Sequence, residues 1–501
     1  MPIGSPISFA LPDPKALKKL GDFSFREVAG RYLVTNDWGR YVLLTPEEFR
    51  DFVAGRLDSA KPVWQKLKEG GFIKGKENKA ELIRSFRGLK NHLWNAPGLH
   101  IIVVTLRCNL KCVYCHSSVV GREQTQFDMT EETARKSVDL IFSSPSPSLT
   151  IEFQGGEPLM NWPIIKFIVE YSRKKAKKEK RNLSIALISN LSLMNEERMS
   201  FLITNHVSLS TSLDGPEALH NANRIALGGV SHADVTRWIK HYREKTRDGI
   251  GALMTTTKKS LSYPKEIVNE YRSLGLKELF LRPLHYLGFA KRSWAAIGYE
   301  DSQYIEFYRK AMDYILDLNR SGEYFRESSS AMILSKILNS WDSGYVDLRS
   351  PCGATLGQIS YNYDGDVYTC DEGRMVAADG DKIFRIGNVK TSDYPSLVNH
   401  ATTRACCSAS NIEGQPLCFS CAYKPYCGIC PVLNYATQNT IWGRMPTNSY
   451  CYIFMHIFDY LFEKLADPEN EKIFQGWVKS GARKKSIAAP SCMGEIAGKR
   501  V

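Results

Sequence analysis

Cys108, Cys112 and Cys115 stand in the array Cys108-Asn-Leu-Lys-Cys112-Val-Tyr-Cys115. Three thiolates this close on one loop can hold three corners of an iron–sulfur cube and leave one iron open to a small molecule. A zinc site normally takes a fourth protein ligand, and none is near in sequence; a structural zinc completed from afar is the alternative. Further on comes Gln154-Gly155-Gly156-Glu157-Pro158. Two glycines let a backbone approach a ligand closely, and Glu157 can accept from an ammonium group; alone, the stretch also reads as an ordinary turn. The other cysteines fall at 352, 370, 406, 407, 418, 421, 427, 430, 451 and 492, with none between 115 and 352. Cys418-x2-Cys421-x5-Cys427-x2-Cys430 suits iron–sulfur ligation, but a zinc ribbon shares the spacing.

The elements that position these residues follow from periodicity. Runs at 101–106, 149–153, 185–189, 207–213, 252–256 and about 280–285 read as strands. Between them lie amphipathic helical segments, such as 130–143 and 162–180. Strands alternating with helices predict an α/β fold with a parallel sheet, a doubly wound sheet or an incomplete barrel, whose strand ends carry the chemistry. The cysteine array directly follows the first strand, and the Gly-Gly-Glu-Pro stretch ends the second. The basic run from Arg173 to Arg181 reads as a solvated helix face, not as a nucleic-acid site.

Ahead of these units lies a module without cysteine. Strands around the turn Asn36-Asp37-Trp38-Gly39 are followed by a helix start at Thr45-Pro46-Glu47-Glu48, where Thr45 and Glu48 can close a capping box. A second helix around Val63, Trp64 and Leu67 ends at Gly70-Gly71. This outline is a small α+β or winged-helix fold, either a structural cap or a peptide-docking module. The composition of the 501 residues, 43% hydrophobic and 24% charged, is globular. A net charge of +13 favours an acidic partner. No apolar run predicts a membrane span. The first 14 residues lack a secretory pattern, so thirteen cysteines predict metal or catalytic work in a reducing, cytoplasmic compartment.

The cysteine array, with Tyr114 before its last cysteine, and the Gly-Gly-Glu-Pro motif together resemble radical S-adenosylmethionine enzymes. The resemblance implies a partial (β/α)6 TIM-like barrel in which Cys108, Cys112 and Cys115 hold a [4Fe-4S] cluster. The amino and carboxylate groups of S-adenosylmethionine would chelate the fourth iron, near Tyr114, Gly155, Gly156, Glu157 and Pro158. Ser212 and Arg224, in a segment similar to the family's carboxylate-contacting one, Asn190 and Ser192 by the ribose, and Pro283 by the adenine would complete the site. One-electron cleavage would give methionine and a 5′-deoxyadenosyl radical that takes a hydrogen atom from substrate.

The cysteine-rich end resembles the SPASM extension, which binds two auxiliary [4Fe-4S] clusters. By that likeness Cys418, Cys421, Cys427 and Cys451 hold one. Cys352, Cys370 and Cys430 hold the other, its fourth ligand open among Cys406, Cys407, another residue and substrate. Asp371 matches the position of a proton-accepting Asp in sulfatase-maturating relatives; its plainer reading is a turn residue. Phrases such as YCHSS, GGEPLMNW and CAYKPYCGICPV are similar to the radical maturase of the His-Xaa-Ser peptide system. The expected organisation is a winged-helix-like recognition module at 1–92, the barrel at 93–320, a linker and SPASM domain at 321–480, and a basic tail at 481–501. The expected partners are a precursor peptide and a reductant such as flavodoxin or ferredoxin, with no nucleic acid and no membrane. An anaerobic sulfatase-maturating enzyme and a non-enzymatic iron–sulfur or zinc scaffold are the other readings.

Overall fold

In the computed structural model residues 18–488 are described, apart from 76, 227–230 and 247–248; side chains are described to residue 479. Cys492 and the tail beyond 488 lie outside the described residues. The chain divides into two units: residues up to 94 with 332–353 and 406–471, and residues 95–331 with 354–405 and the chain from 472 on.

The first unit opens with an antiparallel sheet of β1 (Ser24–Val28), β2 (Arg31–Thr35) and β3 (Tyr41–Leu44). The predicted turn at 36–39 is present; Gly39 N donates to Asn36 O at 2.9 Å with Gly39 at φ 74°. A second hairpin, at Ala29-Gly30, was not foreseen. Both residues have positive φ, 49° and 74°, as a two-residue type I′ loop requires. Alanine seldom adopts that conformation, so the sequence carries little signal for it.

Helix Pro46–Val53 starts with the expected Thr45–Glu48 capping box, and Pro62–Glu69 follows. A further helix, Lys79–Leu89, is capped by Asn78, so the module carries three helices where two were predicted. Val34, Val42, Leu44, Phe49, Phe52, Leu67 and Phe72 form its core. Helix Ser449–Leu465 joins this unit from far along the chain. Asp459 on it takes both arms of the Arg26 guanidinium, at 2.8 and 2.9 Å.

The second unit is built on six parallel strands that neighbour one another in chain order. They are β4 (Leu99–Thr105), β5 (Ser148–Gly155), β6 (Asn182–Ile188), β7 (Val207–Ser212), β8 (Gly251–Thr255) and β9 (Leu281–Arg282). The register pairs Ile151 with Ile185 and Ile185 with Val207, which stacks β-branched side chains in the buried layer. Thr130 caps helix Glu131–Phe142, and Trp162–Glu179 ends at Lys180 in the left-handed region.

The sheet is not purely parallel, as alternation alone predicted. Beyond β4 it continues with β10 (Gln358–Tyr361), parallel to β4, then β11 (Asp366–Tyr368), antiparallel to β10, and β12 (Arg385–Asn388), antiparallel to β11, nine strands in all. The β10–β11 turn carries Gly365 at φ 88°. In the basic run Arg173 is structural: its guanidinium donates to Leu183 O and Asn205 O, both at 2.8 Å. Lys174, Lys177 and Lys178 face solvent. Among the described residues no helix is long and apolar enough to cross a membrane.

Candidate active site

The cysteine loop leaves β4 at Thr105 and is pinned on several sides. Leu110–Cys112 forms a short antiparallel ladder with Arg224–Ala226, in which Cys112 pairs with Arg224. Cys108 N donates to Val120 O at 3.1 Å, and Phe289 N donates to Cys115 O at 2.8 Å. A cavity opens at the C-terminal ends of the parallel strands, where such sheets place their chemistry. Cys108, Cys112, Tyr114, Cys115, Gln154, Gly155, Gly156, Glu157, Asn190, Ser212 and Arg224 all line it. Residues from four strand ends, up to 116 positions apart in sequence, thus meet on one space. Pro158, Ser192, Pro283 and Asp371 are not among its lining residues; Arg282, beside Pro283, is.

The two glycines, which line the cavity, also have a structural use that sequence reading did not foresee. A Cβ on Gly155 would lie 2.2 Å from Thr105 O, and one on Gly156 would lie 2.2 Å from Arg107 O. Their bare backbone lets the end of β5 press against the root of the cysteine loop. Gly156 N and Glu157 N then donate to Thr105 O and Arg107 O at 2.9 and 2.8 Å. Glu157 is 1% exposed, and its carboxylate accepts from Leu159 N, Ser189 Oγ and Asn190 N at 3.0, 2.8 and 2.8 Å. Burial raises its pKa against the pull of these donors. Three of about four acceptor positions are filled by protein, so Glu157 is first a clamp between two strand ends.

Asn190, Ser192 and Asn109 close a second clamp. Asn190 Nδ2 donates to Asn109 Oδ1 at 3.0 Å, Asn109 Nδ2 to Ser192 Oγ at 2.6 Å, and Ser192 Oγ to Asn190 Oδ1 at 2.6 Å. This ring ties the loop after β6 to the cysteine loop.

A third clamp centres on Asp214, which sequence reading left without a role of its own. It is fully buried and accepts from Tyr114 Oη at 2.5 Å, Arg224 Nε at 3.3 Å and Thr255 N at 3.3 Å. The Arg224 guanidinium also lies over the Tyr114 ring, 5.2 Å from its centroid, and Nη1 is 3.9 Å from Cys112 Sγ. Burial opposes the charge on Arg224, but Asp214, Tyr114 and Cys112 hold its pKa well above the ordinary value. The site therefore presents a fixed cation beside one thiol, suited to a carboxylate.

All three thiols are pushed up by burial, Cys112 to about 12 with Arg224 opposing. Buried thiols become thiolates when a positive centre compensates them, as a metal cluster does. Among the described residues no group of three or more His, Cys, Asp or Glu is drawn together as a single metal ion requires. Cys108, Cys112 and Cys115 instead border one cavity with the Arg224 guanidinium beside them, a donor set that fits a cluster with one open iron.

Asp371 begins helix Asp371–Ala378, and its Oδ1 accepts from Arg374 Nε at 2.8 Å, both side chains being buried. Sequence reading missed Glu152, on β5 two residues before Gln154. Gln154 Nε2 donates to it at 2.7 Å, while burial and then nearby Asp371 raise its pKa. The period-two placement of Glu152 and Gln154 on one strand face is the signal that could have marked it.

In the first unit, Cys418, Cys421, Cys427 and Cys451 lie within electrostatic reach of one another. Burial raises Cys418 to about 12 and Cys451 to about 11. Cys352 and Cys430 also belong to this unit; Cys370 belongs to the other. Cys370 and Cys430 each cap a helix, their sulfurs accepting from Gly373 N and Leu433 N at 3.3 and 3.4 Å.

Comparison with known proteins agrees with this geometry. The chain is 24% identical over 379 residues to the cysteine-type anaerobic sulfatase-maturating enzyme of Clostridium perfringens (strain 13), covering 72% of this chain and 95% of that one. Its fold is similar to that of native anSMEcpe with bound AdoMet (TM-score 0.63, 21% identity, 75% of this chain and 100% of the other). It is also similar to Streptococcus suis SuiB bound to precursor peptide SuiA (TM-score 0.50, 14% identity, 85% and 98%). Residues 102–270 match the Radical SAM superfamily. With its cysteine loop, Gly-Gly-Glu-Pro turn and Arg224 converging on one cavity, the chain carries a radical SAM domain over residues 102–270.

Proposed function

We propose that this enzyme modifies a side chain of a ribosomally made precursor peptide, a crosslink being one product such chemistry can give. The observation that carries the reading is the convergence of Cys108, Cys112, Cys115, Arg224 and the Gly155–Glu157 turn on one cavity. Cys108, Cys112 and Cys115 would hold the [4Fe-4S] cluster, and Arg224 would take the carboxylate of S-adenosylmethionine. When bound, these groups supply one-electron cleavage of a sulfonium and a radical able to remove a hydrogen atom from carbon. Tyr114, Asp214, Asn190 and Glu157 hold the walls in register around that chemistry. Cys418, Cys421, Cys427 and Cys451 would hold an auxiliary cluster, and Cys352, Cys370 and Cys430 would serve the second. Asp371 would act as the proton acceptor.

The strands and helices at 24–89 supply a module ahead of the barrel, consistent with recognition of a peptide; SuiB, similar over 85% of this chain, is a protein solved with its precursor peptide. The test is anaerobic incubation of reconstituted enzyme, reductant and S-adenosylmethionine with the peptide encoded beside it. Formation of 5′-deoxyadenosine with a change in peptide mass is expected. 5′-Deoxyadenosine without any mass change rejects the substrate.

A second reading, formylglycine formation on a sulfatase, is favoured by the likeness over 95% of the Clostridium perfringens enzyme. A sulfatase-derived Cys or Ser peptide offered in parallel separates the two.

A further inference from the structure

The helix Lys79–Leu89 leaves one face uncovered. Ala80, Ile83, Arg84, Arg87 and Asn91 recur at helical spacing and border a groove completed by Trp94 and Trp341. Trp94 is 69% exposed, Trp341 51% and Ile83 46%. Two exposed tryptophans and an isoleucine beside each other are unusual on a surface that meets only water. Arg84 and Arg87 are exposed, and among the described residues neither has a hydrogen bond or ion pair. Among the described residues no carboxylate lines the groove. Its complement is therefore an acidic partner with an apolar contact.

The groove is wired to the cysteine-bearing segments of the same unit. Lys90 Nζ, just past the helix, donates to Ser350 O at 2.8 Å and to Glu413 Oε1 at 2.9 Å. His92 Nε2 lies 3.2 Å from Pro351 O, the residue before Cys352. Ile412, beside Glu413, packs in one cluster with Cys418 and Cys427. Trp341 follows helix Ser328–Asn339, whose Lys336 is buried within electrostatic reach of Cys427. Residues bordering the groove in sequence, Lys90 and His92, thus contact the chain just ahead of Cys352 and, at Glu413, ahead of Cys418.

We propose that this groove docks the acidic face of a one-electron carrier protein, one bearing a flavin or an iron–sulfur centre. The carrier exchanges one electron with the cluster held by the adjacent cysteines; no bond forms or breaks. The proposal rests on the auxiliary-cluster reading above. Arg84 and Arg87 steer the encounter, and Trp94 and Trp341 provide the desolvated contact.

The test uses the full-length holoenzyme, the double variant Arg84→Glu/Arg87→Glu and, separately, Trp94→Ala. An acidic flavodoxin is the probe, and its affinity is measured by titration calorimetry at low and high salt. Charge reversal is expected to weaken flavodoxin binding at least about tenfold at low salt and to abolish the salt dependence. Trp94→Ala weakens it at both salt levels. With dithionite as reductant, 5′-deoxyadenosine formation stays at the wild-type level in every variant, and with reduced flavodoxin it falls with the affinity. Unchanged flavodoxin affinity overturns the proposal. So does a loss of affinity for a labelled precursor peptide in place of flavodoxin, which would make the groove a peptide site. A wild-type enzyme inert even with dithionite would instead strike at the radical reading itself.

Discussion

The Tyr114 hydroxyl donates to Asp214 Oδ2 at 2.5 Å, linking the cysteine loop to the end of β7 across 100 positions of sequence. Arg224 shares the same carboxylate oxygen at 3.3 Å. One buried carboxylate thus fixes both an aromatic wall of the cavity and its cation. The arrangement makes Asp214 a positioning residue and gives the first prediction.

Asp214→Asn leaves the Arg224 charge buried without its counter-ion. Breaking such a pair costs about 3–5 kcal/mol. Urea denaturation of the apoprotein should show a loss of that order, with S-adenosylmethionine binding weakened in parallel. A variant with wild-type stability would show that the pair contributes little.

Gly156→Ala should be harmful even though alanine is the smallest change available. Its Cβ meets Arg107 O at 2.2 Å and Leu106 O at 2.7 Å, both backbone atoms that cannot swing aside. Overpacking of this kind costs about 1–3 kcal/mol. The displaced cysteine loop should also take up less iron on reconstitution, read by iron analysis.

Iron content separates the cysteine groups. Three [4Fe-4S] clusters predict about 12 iron per chain. Replacing Cys108, Cys112 and Cys115 by alanine should remove about 4 iron and all cleavage of S-adenosylmethionine. Replacing Cys418, Cys421, Cys427 and Cys451 should remove a similar amount of iron while cleavage persists. Zinc in place of iron at either group would contradict this.

His100 supplies a pH dependence. It is fully buried on β4, with Nδ1 3.1 Å from Tyr361 Oη. Burial, aided by Arg181, lowers its pKa from 6.5 to about 3. The unfolded chain therefore takes up the proton first as pH falls, and stability is lost progressively from pH 6.5 down to about 3. At pH 5 this one group should cost about 2 kcal/mol relative to pH 8. His116 and His220 shift in the same direction, both mainly through burial. Denaturation midpoints measured against pH should show the decline, and His100→Gln should flatten it by about that amount.

Much of this was written in short stretches of sequence. The spacing of Cys108, Cys112 and Cys115 declares a three-thiolate loop because covalent neighbours stay neighbours in any fold. The Thr45–Glu48 capping box is legible for the same reason: its partners are three residues apart, and the helix forms as written. Strand runs with β-branched residues also read directly, and six of them became β4 to β9.

What tertiary structure decided are the meetings that the chain must travel to make. Gly155 and Gly156 were read as room for a ligand; they line the cavity, and the fold also uses them to seat β5 against the cysteine loop. Glu157 was read as an acceptor for an ammonium group; in the fold Ser189 and Asn190 from the next strand end also donate to it. Asp214 acquires its role only when sheet order sets β7 beside β8 and the cysteine loop folds across them. Burial is what turns such neighbours into clamps, because a polar group removed from water must find its partner inside the protein.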